Sequence, residues 1–179
     1  MTGLMNPEFA SGGFLGRETS VAQSTEEVRT LFDCGTHCLM CGRVGDAYAC
    51  YARIREADST VWFNRALCLK GGGEYNEAFE CLLRADAALS APAPMPLRPA
   101  NRLQTLLDGC DAMDEGYLRP MAWNMPRLFP DEVRRQILRV MVDVGCLAGR
   151  YDEVRRIAAR LGRHYKNVDA ILERLNSER

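Results

Sequence analysis

Histidine is scarce in this sequence, which contains only His37 and His164. The chain also lacks a Gly-x-Ser-x-Gly motif, which would present a nucleophilic serine, and a Gly-Lys-Ser/Thr motif, which would hold a phosphate. Its many carboxylates are not paired in apolar surroundings that would shift their pKa values. These absences disfavour the common kinds of catalytic site. We therefore expect a protein that is not an enzyme and needs no cofactor.

Long apolar runs are absent as well. No run approaches the roughly 18 residues that a membrane-spanning helix requires, so we expect no membrane insertion. Residues 1–22 have neither the basic nor the apolar region of a secretory signal peptide. The composition of residues 1–23 is typical of a flexible leader, whether native or left by cloning. We predict that a single domain occupies residues 24–179.

The eight cysteines lie mostly within apolar helical patterns rather than in loops, at positions 34, 38, 41, 50, 68, 81, 110 and 146. Secreted disulfide frameworks are usually short and rich in loops, and this chain is neither. We therefore predict reduced thiols that fill the core as small residues, and a cytoplasmic location.

Strand-like alternation is also missing, and nearly every ordered stretch repeats its apolar residues with helical spacing. Ser24 and Glu27 have the spacing of a capping box at a helix start. Four prolines within residues 90–99 exclude a helix interior there. The pattern predicts an all-α chain, with helices at about 25–41, 44–57, 60–71, 75–89, 100–113, 131–147, 151–162 and 167–177.

A unit of two helices recurs along the chain. Its central copy is defined by Trp62, Ala66, Leu69, Gly73, Tyr75, Ala78, Leu82 and Ala85. The same offsets recur upstream at Leu31, Gly35, Cys38, Gly42, Ala47 and Tyr51, and downstream at Leu138, Val142, Gly149, Tyr151, Val154, Ala158 and Leu161. The small residues would let the two helices cross closely, and the shared glycine would end the first helix. We therefore predict that Gly71-Gly72-Gly73 is a helix terminator and not a phosphate-binding loop.

This unit resembles the tetratricopeptide repeat. The resemblance implies an α–α superhelix of helical hairpins, with repeats at about 28–58, 59–89 and 135–165 and an irregular, proline-rich middle. In that family, ligands rest on a concave groove lined by the first helix of each hairpin. Carried over by position, the groove would be lined by Arg29, Phe32, Asp33, Thr36, Leu39 and Met40 in the first unit and by Thr60, Phe63, Asn64, Leu67, Lys70 and Gly71 in the second.

The resemblance implies a protein-binding module, a scaffold or small chaperone that holds a peptide or segment of a partner protein in this groove. A more specific hypothesis is a bacterial secretion chaperone, because class II type III chaperones are small repeat proteins of about this size. The sequence also leaves open whether the protein forms a homo-oligomer.

Charge divides unevenly along the chain, although the net charge is only −1. Residues 1–118 carry 10 basic and 16 acidic groups, whereas residues 119–166 carry 11 basic and 5 acidic groups, and most of these basic groups are arginines. The simpler interpretation is a solvated helix surface. The alternative is an anionic partner, either an acidic protein or nucleic acid. Because no aromatic residues alternate with the arginines to stack on bases, we expect that nucleic acid is not the partner.

Cys34, His37, Cys38 and Cys41 lie within eight residues and raise the question of a metal or redox site. Zinc usually takes two pairs of ligands from different elements, whereas these four would project from one helix with no second pair following. Cys34 and Cys38 also occupy repeat positions that face the core. We therefore predict structural cysteines and no bound metal, and we keep a metal- or redox-responsive module as the alternative.

Overall fold

The computed structural model describes residues 23–89, 110, 113–162 and 164–177, and within these ranges the protein is all-α, as predicted. The helices are α1 (Thr25–Met40), α2 (Val44–Ala52), α3 (Ser59–Gly71), α4 (Tyr75–Ala87), α5 (Met125–Leu128), α6 (Pro130–Leu147), α7 (Tyr151–Leu161) and α8 (Lys166–Ser177), with a 3₁₀ turn at Gly116–Leu118. Over these described ranges, no helix has the length and apolar character needed to span a bilayer.

Several predicted features lie outside the described residues. These are the leader up to residue 22, the proline-rich stretch 90–99 and, except for residues 110 and 113, the helix predicted at 100–113. Gln23 was grouped with the leader by its composition, but its side chain binds the loop after α2. It donates to the carbonyl oxygen of Arg53 at 2.9 Å and accepts from the amide of Arg55 at 2.9 Å.

The starts of α1 and α3 are fixed by their N-cap side chains. Ser24 Oγ accepts a hydrogen bond from the amide of Glu27 at 3.1 Å, as the capping box predicts. Asp58 Oδ1 accepts from the amide of Val61 at 2.9 Å. Amides in the first turn have no partner within the helix, so these side chains supply the missing acceptors.

The end of α2 differs from the prediction, because the helix stops at Ala52 and does not continue to residue 57. Arg65 of α3 donates to the carbonyl oxygens of Tyr51 at 2.6 Å and Ile54 at 2.8 Å. Carbonyls at a helix end need a donor from elsewhere once the helix stops. Because this cap is supplied by the next helix, the periodicity of α2 does not reveal it. Periodicity alone therefore overestimates the length of α2.

Three hairpins, α1–α2, α3–α4 and α6–α7, share the same turn. Each turn contains one glycine with positive φ, namely Gly42 at 74°, Gly73 at 85° and Gly149 at 73°. In each case the amide after the glycine donates to a carbonyl oxygen five residues earlier, at 2.9, 2.9 and 2.8 Å respectively. Left-handed backbone favours glycine because it has no Cβ. The predicted role of the glycines after α3 as a helix terminator is confirmed.

Small buried residues lie where the two helices of a hairpin cross. Ala47, Ala78 and Val154, which share one position of the repeated unit, have no exposed surface. In the first hairpin, a Cβ added to Gly35 would lie 3.0 Å from the ring of Tyr51. The helices therefore approach as closely as the repeat pattern predicts.

Ala78→Leu is expected to lower the free energy of unfolding by about 1–3 kcal/mol, because the larger side chain must displace neighbours at a filled helix crossing. Ala49→Leu, on the exposed side of α2, is the matched control and should change it by less than about 0.5 kcal/mol. Chemical denaturation followed by circular dichroism measures both. An unchanged denaturation midpoint for Ala78→Leu would contradict the assigned crossing.

Buried apolar side chains form two clusters. The larger one joins α3 and α4 to α6, α7 and α8, and the smaller one joins α1, α2 and α3. The half-buried Leu39 packs against both clusters. α4 packs directly on α6, so the third hairpin follows the second in space although residues 88–129 separate them in the chain.

The cysteines are free thiols, but only four of the eight are buried: Cys38, Cys68, Cys81 and Cys146. Burial raises the pKa of Cys68 to about 12, so it behaves as an inert core residue. The core placement predicted for Cys34 is corrected, since this side chain is exposed. Gly35, one position later, lies at the centre of the α1–α2 contact, and Cys34 lies at its edge, because successive helical residues point about 100° apart.

Candidate functional site

Residues 114–124 form an irregular segment that passes over the first helix of each hairpin. Tyr117 contacts α6, Met121 contacts α3 and Trp123 contacts α1. We call the parts of α1, α3 and α6 that touch this segment the α1–α3–α6 surface. These are the helices that the repeat resemblance predicts to line a groove.

Asn64 of α3 binds the main chain of the segment through both polar atoms of its amide group. Oδ1 accepts from the amide of Met121 at 2.8 Å, and Nδ2 donates to the carbonyl oxygen of Met121 at 3.0 Å. Nδ2 also donates to the hydroxyl oxygen of Tyr51 at 3.2 Å, and that hydroxyl lies 2.9 Å from Thr36 Oγ1. Because Asn64 is fully buried, these bonds form away from solvent, where an unpaired polar group would be costly.

Two side chains of α6 also bind the main chain of the segment. Gln136 Nε2 donates to the carbonyl oxygens of Tyr117 at 3.1 Å and Arg119 at 3.0 Å. Arg139 Nη2 donates to the carbonyl oxygen of Asp114 at 2.9 Å. With the two bonds from α3, the surface makes five hydrogen bonds to the backbone of the segment. None of them depends on which side chain the segment carries.

Arg139 is only 2% exposed and is held between two aromatic rings. Its guanidinium carbon lies 4.0 Å from the centre of the Tyr117 ring and 4.7 Å from that of Tyr165. Its Nε donates to Asn167 Oδ1 at 3.2 Å. The Tyr117 hydroxyl donates to Asp143 Oδ2 at 2.7 Å, and burial together with this carboxylate raises the pKa of Tyr117 well above its usual range. α6 and α8 thus hold the start of the segment through a mostly buried polar network.

The side chains of the segment are buried to different degrees. Met121 and Tyr117 are buried in the larger apolar cluster. Trp123 packs edge-on against Phe32, with 4.9 Å between ring centroids, and the Arg29 guanidinium lies 5.9 Å from the indole ring. An aromatic side chain at this place therefore gains both an aromatic contact and a cation–π contact.

The groove residues predicted in the first unit are only partly brought together. Arg29 and Phe32 contact Trp123. Asp33 is exposed and forms an ion pair with Arg29 at 2.8 Å. The remaining predicted positions are half-buried or exposed: Thr36, Leu39 and Met40.

In the second unit, most predicted groove residues are inside the protein. Phe63 and Asn64 have no exposed surface and Leu67 is buried, whereas Lys70 is half-buried. Asn64 faces segment 114–124, but Phe63 packs within the larger apolar cluster. An outside partner could reach Asn64 only by taking the place of the segment. Partner binding at these positions stays a prediction.

Sequence reasoning missed the site residues of the third unit. The offsets used for the first two units place Gln136, Arg139 and Asp143 on the same surface, and all three contact residues 114–119. The repeat offsets, applied to the third unit, would have identified these residues from the sequence. No comparable signal marked residues 114–124 as the occupant, because an irregular segment has no periodicity.

Three arginines of the last third pair with acidic residues of α4. Arg150 lies 3.0 Å from Glu80, while Arg160 at 2.8 Å and Arg134 at 3.3 Å share Asp86. The acidic first part and the basic last part of the chain therefore complement each other within one molecule. Such pairing reduces the positive potential available to nucleic acid or an acidic partner.

The cysteine and histidine side chains near the end of α1 do not converge on one point. Within the part of the chain that the structure describes, no three His, Cys, Asp or Glu side chains are placed to share a metal ion. Cys41 Sγ lies 3.8 Å from His37 Nε2, whereas Cys34 Sγ lies 3.7 Å from Cys50 Sγ of α2. The Cys34–Cys50 pair therefore joins two helices.

The contacts between the α1–α3–α6 surface and segment 114–124 are the structural features that bear on function. Comparison of the chain with family models, with curated proteins and with solved structures finds no match.

Proposed function

We propose that the protein is a non-enzymatic protein-binding module of tetratricopeptide type. Its hairpins form a superhelix, and its α1–α3–α6 surface binds an extended segment of a partner protein. Segment 114–124 occupies this surface when no partner is bound. The observation that carries the proposal is the set of five hydrogen bonds from Asn64, Gln136 and Arg139 to the main chain of that segment.

Bonds to the main chain give affinity that tolerates many sequences, whereas side-chain contacts add preference. The contacts of the bound segment indicate what a partner would offer. Asn64 requires a residue with a free backbone amide, and the environment of Met121 accepts an apolar side chain. Phe32 and Arg29 favour an aromatic residue two positions later. The partner segment therefore carries an apolar residue followed at that spacing by an aromatic one.

Occupation by segment 114–124 lowers the apparent affinity for a partner, because only molecules that have released it are competent to bind. A scaffold would use this exchange to select strong partners. A secretion-type chaperone would use the same exchange to release a client when the internal segment returns.

Peptide binding to the full-length protein tests the proposal. The probe is a fluorescently labelled synthetic peptide with the sequence of residues 113–125, measured by fluorescence anisotropy. Trp123→Ala weakens the internal segment and leaves the α1–α3–α6 surface intact, so it should bind the peptide at least about ten-fold tighter than the wild type. This factor corresponds to a loss of about 1.4 kcal/mol in the free energy with which segment 114–124 binds the surface.

Matched variants separate binding at this surface from nonspecific association. Leu128→Ala removes an exposed apolar side chain outside the segment and should bind like the wild type. The same peptide with alanine in place of its tryptophan loses the contact with Phe32, as the internal segment of Trp123→Ala does, and should reverse most of the gain. Equal affinities for the wild type and Trp123→Ala would contradict the proposal, as would a gain that survives removal of the peptide's tryptophan or appears with a scrambled peptide.

A further inference from the structure

Two cysteines lie side by side across the first hairpin. Cys34 of α1 and Cys50 of α2 have their sulfur atoms 3.7 Å apart. Cys34 directly precedes Gly35, and Cys50 directly precedes Tyr51. Gly35 and Tyr51 are the residues at which the two helices approach closely. The absence of a side chain on Gly35 permits this approach, since a Cβ there would lie 3.0 Å from the Tyr51 ring. The pair therefore results from the helix crossing.

The two thiols have different surroundings. Cys34 is exposed, so a small soluble oxidant can reach its sulfur. Cys50 is half-buried, and its burial, followed by its hydrogen bond to Cys34, raises its pKa. Cys50 therefore stays a protonated thiol at neutral pH, and Cys34 is the sulfur that meets the oxidant first.

We propose that Cys34 and Cys50 form a reversible modification site, at which a hydroperoxide converts the two thiols into an intramolecular disulfide. The proposal is independent of partner binding at the α1–α3–α6 surface. It assigns to the cysteine-rich end of the first hairpin a redox role that needs no metal.

The reaction balances in two steps. The Cys34 thiolate attacks one oxygen of hydrogen peroxide, which breaks the O–O bond and gives a sulfenic acid and hydroxide. The Cys50 sulfur then attacks the Cys34 sulfur, forms the S–S bond and expels the hydroxyl group, which leaves as water with the Cys50 proton. In total, two thiols and one peroxide give one disulfide and two waters. Two electrons pass from the thiols to the peroxide. A dithiol reductant later supplies two electrons to the disulfide and restores both thiols.

The movement required is small. A disulfide has an S–S distance of about 2.05 Å, so the sulfurs must approach by less than about 2 Å. Rotation of the exposed Cys34 side chain between staggered rotamers supplies movement of this size. Because the bond would join α1 to α2, it would fix the hairpin whose Phe32 supports Trp123.

Mass spectrometry of the full-length protein tests this assignment. The protein is treated with one equivalent of hydrogen peroxide, its remaining thiols are alkylated, and it is digested with trypsin. Cleavage after Arg29, Arg43 and Arg53 places Cys34 and Cys50 in separate peptides, 30–43 and 44–53. We expect these two peptides to be joined by a disulfide that dithiothreitol reverses.

Variants identify the sulfurs, since peptide 30–43 also contains Cys38 and Cys41. The link should disappear in Cys34→Ser and in Cys50→Ser, and persist in Cys38→Ala and Cys41→Ser. Oxidation should also raise the midpoint of thermal unfolding of the wild type but not of Cys50→Ser, because the bond restricts the unfolded chain. A link that survives Cys34→Ser, or oxidation of Cys34 to sulfinic acid without any link, would overturn the proposal.

Discussion

Arg139→Ala is expected to lower the free energy of unfolding by about 3–5 kcal/mol. The substitution leaves a cavity between Tyr117 and Tyr165, since the arginine side chain is almost completely buried. It also removes the donors to the carbonyl oxygen of Asp114 and to Asn167 Oδ1. Chemical denaturation followed by circular dichroism measures the loss.

The control for this change is Arg156→Ala. Arg156 is exposed on α7, where it donates to the carbonyl oxygen of Asp152 at 3.4 Å, so its removal should cost less than about 0.5 kcal/mol. Arg139→Lys keeps the charge but loses the planar group that stacks between the two rings, and it should fall between the wild type and Arg139→Ala. If Arg139→Ala is as stable as Arg156→Ala, the buried network does not hold the start of segment 114–124.

Asn64→Ala is expected to lower the free energy of unfolding by about 2–4 kcal/mol and to loosen segment 114–124. The amide and the carbonyl oxygen of Met121 both lose their partner, and each unpaired buried polar group costs about 1–3 kcal/mol. The amide of Met121 should then exchange its hydrogen with solvent much faster. Hydrogen–deuterium exchange of a peptide covering residues 117–125 reports this directly.

Asp33→Ala provides the matched control for Asn64→Ala. Asp33 occupies the corresponding position in the first unit but is exposed, and its ion pair with Arg29 lies on the surface. Such pairs contribute less than about 1 kcal/mol, so both stability and exchange should stay close to wild-type values. Unchanged protection of Met121 in Asn64→Ala would mean that other contacts position the segment.

The helices and their turns could be read from the sequence because their causes are local. Gly73 ends α3 in left-handed backbone, and Ser24 caps α1 through an amide three residues away. The repeat offsets also identified the closely packed positions, as Ala78 illustrates. The prediction failed where the partner was distant, since α2 ends early under a cap from Arg65 of the next helix.

The sequence predicted the helices that form the candidate site but not the segment that occupies it. The repeat offsets placed Asn64 and Phe32 on helices that contact another part of the chain, and they would have identified Gln136 and Arg139 as well. The offsets could not indicate that the chain these helices meet is residues 114–124 of the same molecule. They also could not indicate that Phe63 lies in the larger apolar cluster, because groove and core positions are neighbours on a helix and only packing separates them.

The sequence by itself determined the all-α class, the three hairpin turns and the helix starts, since each depends on residues within a few positions of one another. Tertiary structure alone decided which surfaces are occupied. Asn64 and Met121 are 57 residues apart in the chain, and Arg160 meets Asp86 across 74 residues. No local pattern encodes such contacts, because they arise only when packing of the apolar faces brings distant helices together and buried polar groups must then find partners.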